Sequence, residues 1–168
     1  MKRYAIFCLF LAMAALFSAC SLPAAWKNTD EAVESDTFSV YRMNSDPEKT
    51  GELIRPEPVP EIAADGMELD TAMAFLASPA MSADLACALP EGVSITGYGF
   101  ENGVVTLSVS DGFLGLTEMQ KTIASFCAVL TLCQLSGVEA VTILCGDETV
   151  FSGLMPEDAL LTAEDTDP

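Results

Sequence analysis

Residues 93–109 read Val93-Ser94-Ile95-Thr96-Gly97-Tyr98-Gly99-Phe100-Glu101-Asn102-Gly103-Val104-Val105-Thr106-Leu107-Ser108-Val109. Two runs rich in β-formers, 93–100 and 104–109, flank the dipeptide Asn102-Gly103. Asn-Gly is the strongest short hairpin signal, because both residues accept the positive φ that a two-residue turn demands. A hairpin therefore sits near the middle of the chain, and the remaining elements are read outward from it.

Downstream, Asp111-Gly112 ends the hairpin. Thr117-Glu118-Met119-Gln120 matches a capping box, with Thr at the cap and Gln three residues on. Met119, Ile123, Phe126, Cys127, Leu130 and Cys133 then recur at three- and four-residue steps. This predicts an amphipathic helix over 118–135, stopped by Ser136-Gly137. Its other face is barely charged, with Lys121 and Gln134 among small residues, so the helix is expected to be covered on more than one side, a partner being one candidate cover. Residues 140–145 read as a buried strand. Gly146-Asp147 turns the chain into a further strand at 149–151. The stretch 156–168 is acidic and expected to be loose at its end.

Upstream, Leu69, Met73, Leu76 and Ala77 follow helical spacing, which predicts a short helix over 69–78 ending before Pro79. Residues 79–92 read as a loop. Residues 38–43 alternate as a strand, and Asn44-Ser45-Asp46-Pro47 signals a turn. A returning strand at 52–55 is closed by Pro56, Pro58 and Pro60, which bar a central strand beyond that point. The order β-β-α-β-β-α-β-β predicts an α+β domain, a mixed sheet with two helices on one face. No internal repeat is present.

The 168 residues allow one domain with flanking segments. Seven Lys and Arg against 25 Asp and Glu give a net charge of −18, and 51% of residues are hydrophobic. The hydrophobic share argues against a wholly disordered acidic chain. The charge excludes nucleic acid as a partner, since phosphates would be repelled along the chain. There is no histidine. That removes Ser-His-Asp and Cys-His catalysis, His-ligated metals and imidazole proton relays.

The chain begins with Lys2 and Arg3, followed by an almost unbroken apolar run over 4–19. This reads as a signal peptide over 1–19, too short for a spanning helix of about 20 apolar residues. The run ends Leu16-Phe17-Ser18-Ala19-Cys20, which resembles a bacterial lipobox, with Phe17 at the usual Leu position. The resemblance implies cleavage between Ala19 and Cys20 and a diacylglycerol on the Cys20 thiol, with palmitate-type acyl chains holding the protein at the membrane. An uncleaved anchor helix, or an ordinary signal peptide with an incidental Cys, is the other reading. Without Lys2 and Arg3 the mature chain carries five basic and 25 acidic side chains, a charge of −20. Residues 20–37 are then the lipidated Cys and an acidic tether, 38–155 the domain and 156–168 an acidic tail. Trp26 is either a membrane-interface residue or a plain tether residue.

Four further cysteines, Cys87, Cys127, Cys133 and Cys145, admit three readings: buried thiols, one disulfide, or a metal site. Cys127 and Cys133 lie about 600° apart around one helix and cannot bond each other. Cys127 and Cys145 could meet only if helix and strand face each other. Three of the four sit on apolar faces, where Cys behaves as a small hydrophobe. No Cys-x-x-Cys pair supports zinc. Among so many carboxylates, Asp147-Glu148, Glu157-Asp158 and Glu164-Asp165 read as solvated turn and tail residues, and no calcium-loop pattern is present. Ser108 and Ser110 lack a base to activate them. No catalytic, cofactor-binding or metal-binding residue is assigned.

The ordered set of pieces resembles the GerMN domain of spore-forming and related Gram-positive bacteria. The matching core runs from Leu89-Pro90-Glu91-Gly92-Val93, through Asn102-Gly103-Val104-Val105-Thr106-Leu107-Ser108-Val109-Ser110, to the helix containing Leu130-Thr131-Leu132. It closes with Gly137-Val138-Glu139-Ala140-Val141-Thr142-Ile143, and Leu76-Ala77-Ser78-Pro79 fits the family's helix-to-loop junction. The resemblance covers about 38–155 and implies one GerMN domain, commonly carried by secreted lipoproteins. It implies a non-enzymatic protein-interaction or assembly module at the outer face of the cell membrane, in envelope or sporulation-related complexes. Its partner would be a protein of the cell envelope, met at the domain's sheet edge or at the weakly charged second helix, with the acid surface favouring basic partners. A ligand-binding lipoprotein for cell-wall fragments or cations is the alternative, and it requires a pocket with convergent polar groups.

Overall fold

The computed structural model describes residues 37–161. The stretch 1–19 read as a signal peptide, Cys20, Trp26, the stretch read as a tether up to residue 36 and the tail from 162 onward, with Glu164-Asp165, lie outside the described residues.

The hairpin is present. β4 (Ile95–Glu101) and β5 (Val104–Val109) pair antiparallel across Asn102 and Gly103, whose φ values are 52° and 81°. Positive φ at both central residues is the two-residue turn whose twist matches the flanking strands. The Gly103 carbonyl also accepts from Glu139 N–H at 2.7 Å and Ala140 N–H at 3.2 Å, tying the turn to the following strand. That strand, β6 (Ala140–Cys145), runs parallel to β5, with Val105 beside Val141 and Leu107 beside Ile143. Parallel neighbours need a long crossover, and the crossover here contains the predicted helix (Glu118–Leu132). β7 (Glu148–Leu154) returns antiparallel, completing a mixed sheet of order β4-β5-β6-β7.

The first half of the domain forms a second sheet, order β2-β1-β3. β1 (Thr37–Asn44) is central, β2 (Ile54–Ala63) is one edge and β3 (Leu85–Ala86) is a two-residue pairing within the expected 79–92 loop. The strands thus divide over two sheets instead of one. The expected stop at Pro56 also gives way: β2 runs through Pro56, Pro58 and Pro60. As an edge strand it can do so. The N–H groups of Ser39 and Tyr41 point away from β2, so Ser39–Pro58 and Tyr41–Pro56 are non-hydrogen-bonded pairs. The N–H that each proline lacks would face solvent, not the ladder.

Among the described residues four α-helices accompany the strands: α1 (Pro47–Thr50), α2 (Leu69–Ala77), α3 (Glu118–Leu132) and α4 (Pro156–Leu161). α1 occupies the expected turn after β1, and α4 forms the start of the acidic stretch 156–168. α3 starts on the capping box: Thr117 Oγ1 accepts from Gln120 N–H at 3.3 Å, and Gln120 Oε1 accepts from Thr117 N–H at 3.0 Å. Past its first turn and a half α3 is buried on nearly every side, at Ala124, Ser125, Phe126, Cys127, Ala128, Val129, Thr131 and Leu132. It touches β1, β6, α2 and α4. The helix is thus covered on more than one side, as its composition predicts, with the chain's own β1 in the place offered to a partner. Phe38, Val40, Leu76, Val105, Leu107, Phe113, Val129, Leu132, Val141 and Ile143 form one core between the sheets and helices. Each such side chain contributes about 1.5–3 kcal/mol on burial.

Candidate interaction surface

The buried polar chemistry of the domain is structural. Phe38 and Val40 of β1 point into the core, and the alternation carries Arg42 to the same side. Its side chain is 1% exposed, and Nε donates to Glu57 Oε2 of β2 at 3.0 Å. Nη1 donates to the Ser78 carbonyl at 2.6 Å, and Nη2 to the Phe75 carbonyl at 3.1 Å and Ser78 Oγ at 3.0 Å. Arg42 thereby donates to carbonyls at the C-terminus of α2, where positive charge is favoured, and the Phe75 carbonyl also accepts from Ser78 N–H and Oγ. Glu57 Oε1 accepts from Met81 and Ser82 N–H, both at 2.8 Å, which pins the loop after α2. Burial opposes the charged carboxyl of Glu57, but the donors from Ser82, Arg42 and Met81 outweigh it and hold its pKa below 4.5. The in-phase position of Arg42 in an apolar alternation is the sequence signal for this cluster, which the composition and motif reading does not register.

The four described cysteines are free thiols. Cys127 and Cys145 are buried, Cys133 is half-buried and Cys87 is exposed. Burial pushes the Cys127 thiol up to about 12. Burial and the nearby Glu157 charge push Cys133 up to about 11. Such thiols are poor nucleophiles and poor metal ligands near neutral pH. Among the described residues no three Cys, Asp or Glu side chains gather as a metal site. Asp147 and Glu148 are exposed at the β6–β7 turn. Asp158 accepts the Met155 N–H at 2.8 Å at the start of α4, while Glu157 is exposed. Ser110 accepts the Ser94 N–H at 3.0 Å and so braces the hairpin base. Ser108 is half-buried within β5.

A cavity of about 360 Å³ opens between β1, β2 and α2, lined by Val40, Val59, Thr71, Ala74, Phe75 and Met81 with Arg42 at its floor. The Arg42 guanidinium is already committed to Glu57 and the α2 carbonyls. The lining offers apolar contact and few free polar groups, which suits neither a sugar nor a cation. Among the described residues no helix is long and apolar enough to cross a membrane.

The strand edges differ from one another. β2 carries three prolines, β3 is two residues long, and β7 has two register shifts against β6. Prolines, shortness and bulges all deter pairing with a foreign strand. β4 has a single shift between Ile95 and Gly97 and is regular from there to Glu101. It has no proline, no basic residue and one acid, Glu101. Tyr98 and Phe100, 42% and 51% exposed, face the same side as their buried partners Leu107 and Val105. The sheet's apolar face thus continues one strand past its helical cover. Tyr98 Oη donates to Asp70 Oδ1 of α2 at 2.8 Å, and this hydrogen bond raises the Tyr98 pKa.

This α+β domain, with its hairpin joined through one long helix to a parallel strand, has a GerMN-type fold. The chain belongs to the Germane family, described as sporulation and spore germination, whose sequence pattern matches residues 39–151. The fold is similar to the tandem GerMN domains of the sporulation protein GerM from Bacillus subtilis, with a TM-score of 0.55 at 12% identity over 73% of this chain. It is also similar to the first GerMN domain of that protein, with a TM-score of 0.52 at 12% identity over 68% of this chain. The chain spans 46% of the tandem structure and 85% of the single-domain structure. No curated protein sequence matches the chain.

Proposed function

We propose that this protein is a lipid-anchored, non-enzymatic interaction module that works at the outer face of the cell membrane, in envelope or sporulation-related assembly. Cys20 would carry the lipid after cleavage at Ala19, residues 20–37 would be the tether, and the GerMN domain would meet a protein partner. Two acyl chains hold stably where one holds only marginally. The observation that carries the reading is the open β4 edge in a domain that blunts its other described sheet edges. Family membership supports the setting, and the committed state of Arg42, Glu57 and the buried thiols supports a surface role over catalysis.

The test has two arms. Metabolic labelling with an alkyne palmitate is expected to mark the wild type and not Cys20→Ala; a labelled Cys20→Ala variant sinks the anchor. A photo-crosslinker at Phe100 is expected to capture one defined envelope protein, while the same group at exposed Glu48 of α1 captures none. Equal capture from both positions, or none from Phe100 during growth and sporulation, rejects the interaction reading.

The ligand-binding alternative would use the cavity beside Arg42, whose lining favours an apolar group. Calorimetry with muropeptides and with calcium is expected to show no saturable heat. Saturable heat from either would reinstate a cell-wall or cation ligand.

A further inference from the structure

We infer that the partner at β4 supplies an extended basic segment, Lys or Arg alternating with β-branched residues, that adds as a fifth strand to the β4-β5-β6-β7 sheet. This deepens the interaction-module reading and rests on it.

The backbone defines the mode. The two-residue turn at Asn102-Gly103 makes Glu101–Val104 the closing hydrogen-bonded pair. Pairs alternate along an antiparallel ladder, so Gly99–Thr106 is also hydrogen-bonded, while Phe100–Val105 and Tyr98–Leu107 are not. The N–H and C=O groups of Tyr98 and Phe100 therefore face outward, away from β5. Two residues offer four main-chain groups in the spacing that an added strand needs, as in recognition by strand addition.

The side chains define the chemistry. Residues of an added strand opposite Tyr98 and Phe100 would share the face of these two rings. An Arg there stacks on an aromatic ring, and Lys or Arg also finds the Asp70 carboxylate that Tyr98 holds. Glu101 ends the strand with a further negative charge. On the opposite face Gly97 and Gly99 present no side chain, which leaves room for β-branched residues of the incoming segment. Charge selects between occupants. A second copy of this chain brings another −18 to the same edge, whereas a basic segment is attracted to it.

The probe is a capped hexapeptide alternating Arg and Val, titrated into the full-length protein in detergent micelles and followed by amide NMR. Binding is expected to shift Tyr98, Gly99 and Phe100 and to slow amide exchange at Tyr98 and Phe100. Raising NaCl from about 50 to about 500 mM is expected to weaken it several-fold, because screening shortens the reach of the acidic field. A Glu–Val peptide of the same length is expected not to bind. Phe100→Pro removes the outward N–H and leaves the β5 ladder intact, as Pro56 and Pro58 do on β2. It is expected to weaken binding by about tenfold, against about threefold for Phe100→Ala.

Unchanged binding by a folded Phe100→Pro overturns the inference, as does equal binding of the acidic peptide. Should Phe100→Pro unfold, the Arg–Val peptide methylated on its ladder-facing nitrogens serves instead, and undiminished binding of that peptide overturns it equally. A concentration-dependent dimer of the protein alone, abolished by Phe100→Ala, would replace the basic segment with a second copy. Failure of these peptide arms with a retained Phe100 crosslink in cells defeats the basic strand alone. Loss of the crosslink defeats the interaction reading itself.

Discussion

Gln134 holds both backbone groups of Ser39. Its Oε1 accepts the Ser39 N–H at 3.0 Å, and its Nε2 donates to the Ser39 carbonyl at 2.7 Å. One residue-repeat along, Thr131 Oγ1 accepts the Tyr41 N–H at 2.9 Å. Two side chains, Thr131 in the last turn of α3 and Gln134 just past its end, thus take the place of a neighbouring strand along the free edge of β1. They join the first sheet to the helix that crosses the second.

Removing either contact strands buried main-chain groups. Gln134→Ala is expected to destabilise the domain by about 1–3 kcal/mol, and Thr131→Val by about 1–2 kcal/mol despite its similar shape. Urea unfolding would measure both. Gln134→Glu keeps the acceptor and loses the donor, so it is expected to fall between wild type and Gln134→Ala at neutral pH. A Gln134→Ala midpoint equal to wild type would show that water replaces the amide without cost.

Breaking the pair of Arg42 and Glu57 is expected to be the costlier change. Arg42→Met leaves a buried carboxylate unpaired, at about 3–5 kcal/mol. For a domain of this size the fall in Tm is on the order of 10 °C. The double variant Arg42→Met/Glu57→Leu is expected to recover part of that loss, because it removes both charges together. A double variant as unstable as the sum of the single ones would argue against coupling through the pair.

The same pair predicts acid sensitivity. The folded pKa of Glu57 lies below its ordinary 4.5. Its contribution is therefore fully present above the unfolded value and is lost as pH falls through the folded one. The wild-type stability advantage over Glu57→Gln is expected to be constant from pH 7 to about 5 and to shrink as pH falls further. Parallel stability curves down to pH 3 would refute the assignment.

Thiol labelling reads the packing directly. At pH 7.5 a maleimide is expected to modify Cys87 within minutes. Cys133 is expected to react slowly, and Cys127 and Cys145 at the rate of domain opening. Mild urea is expected to accelerate Cys127 and Cys145 together. Fast labelling of Cys127 in native buffer would contradict a buried helix face.

Much of the fold was legible in local signals. Asn102-Gly103, the capping box at Thr117 and Gln120, the run 140–145 and the spacing from Leu69 to Ala77 all act within a few residues, so sequence reports them directly. The failures share one cause. Pro56, Pro58 and Pro60 read as a stop because nothing local says that β2 is an edge strand, whose outward N–H groups no neighbour needs. The pale face of α3, around Gln134 and Thr131, read as covered without showing by what, a partner being one candidate, because its true cover, β1, lies about 90 residues away in the chain. Arg42 and Glu57 passed without notice because their value depends on the carbonyls of Phe75 and Ser78 and the amides of Met81 and Ser82.

By itself the sequence determined the hairpin, the two longer helices, the strand at 140–145, the α+β class, the acidic charge, the absence of imidazole chemistry and the family, since each follows from local pattern or composition. Only the tertiary structure decided that the strands form two sheets, that Thr131 and Gln134 close the edge of β1, that Arg42 and Glu57 are buried together, and that β4 is an edge left open among the described residues. Those outcomes depend on which distant segments share a buried volume and which backbone groups then lack a partner, and such pairings are settled by packing across the chain.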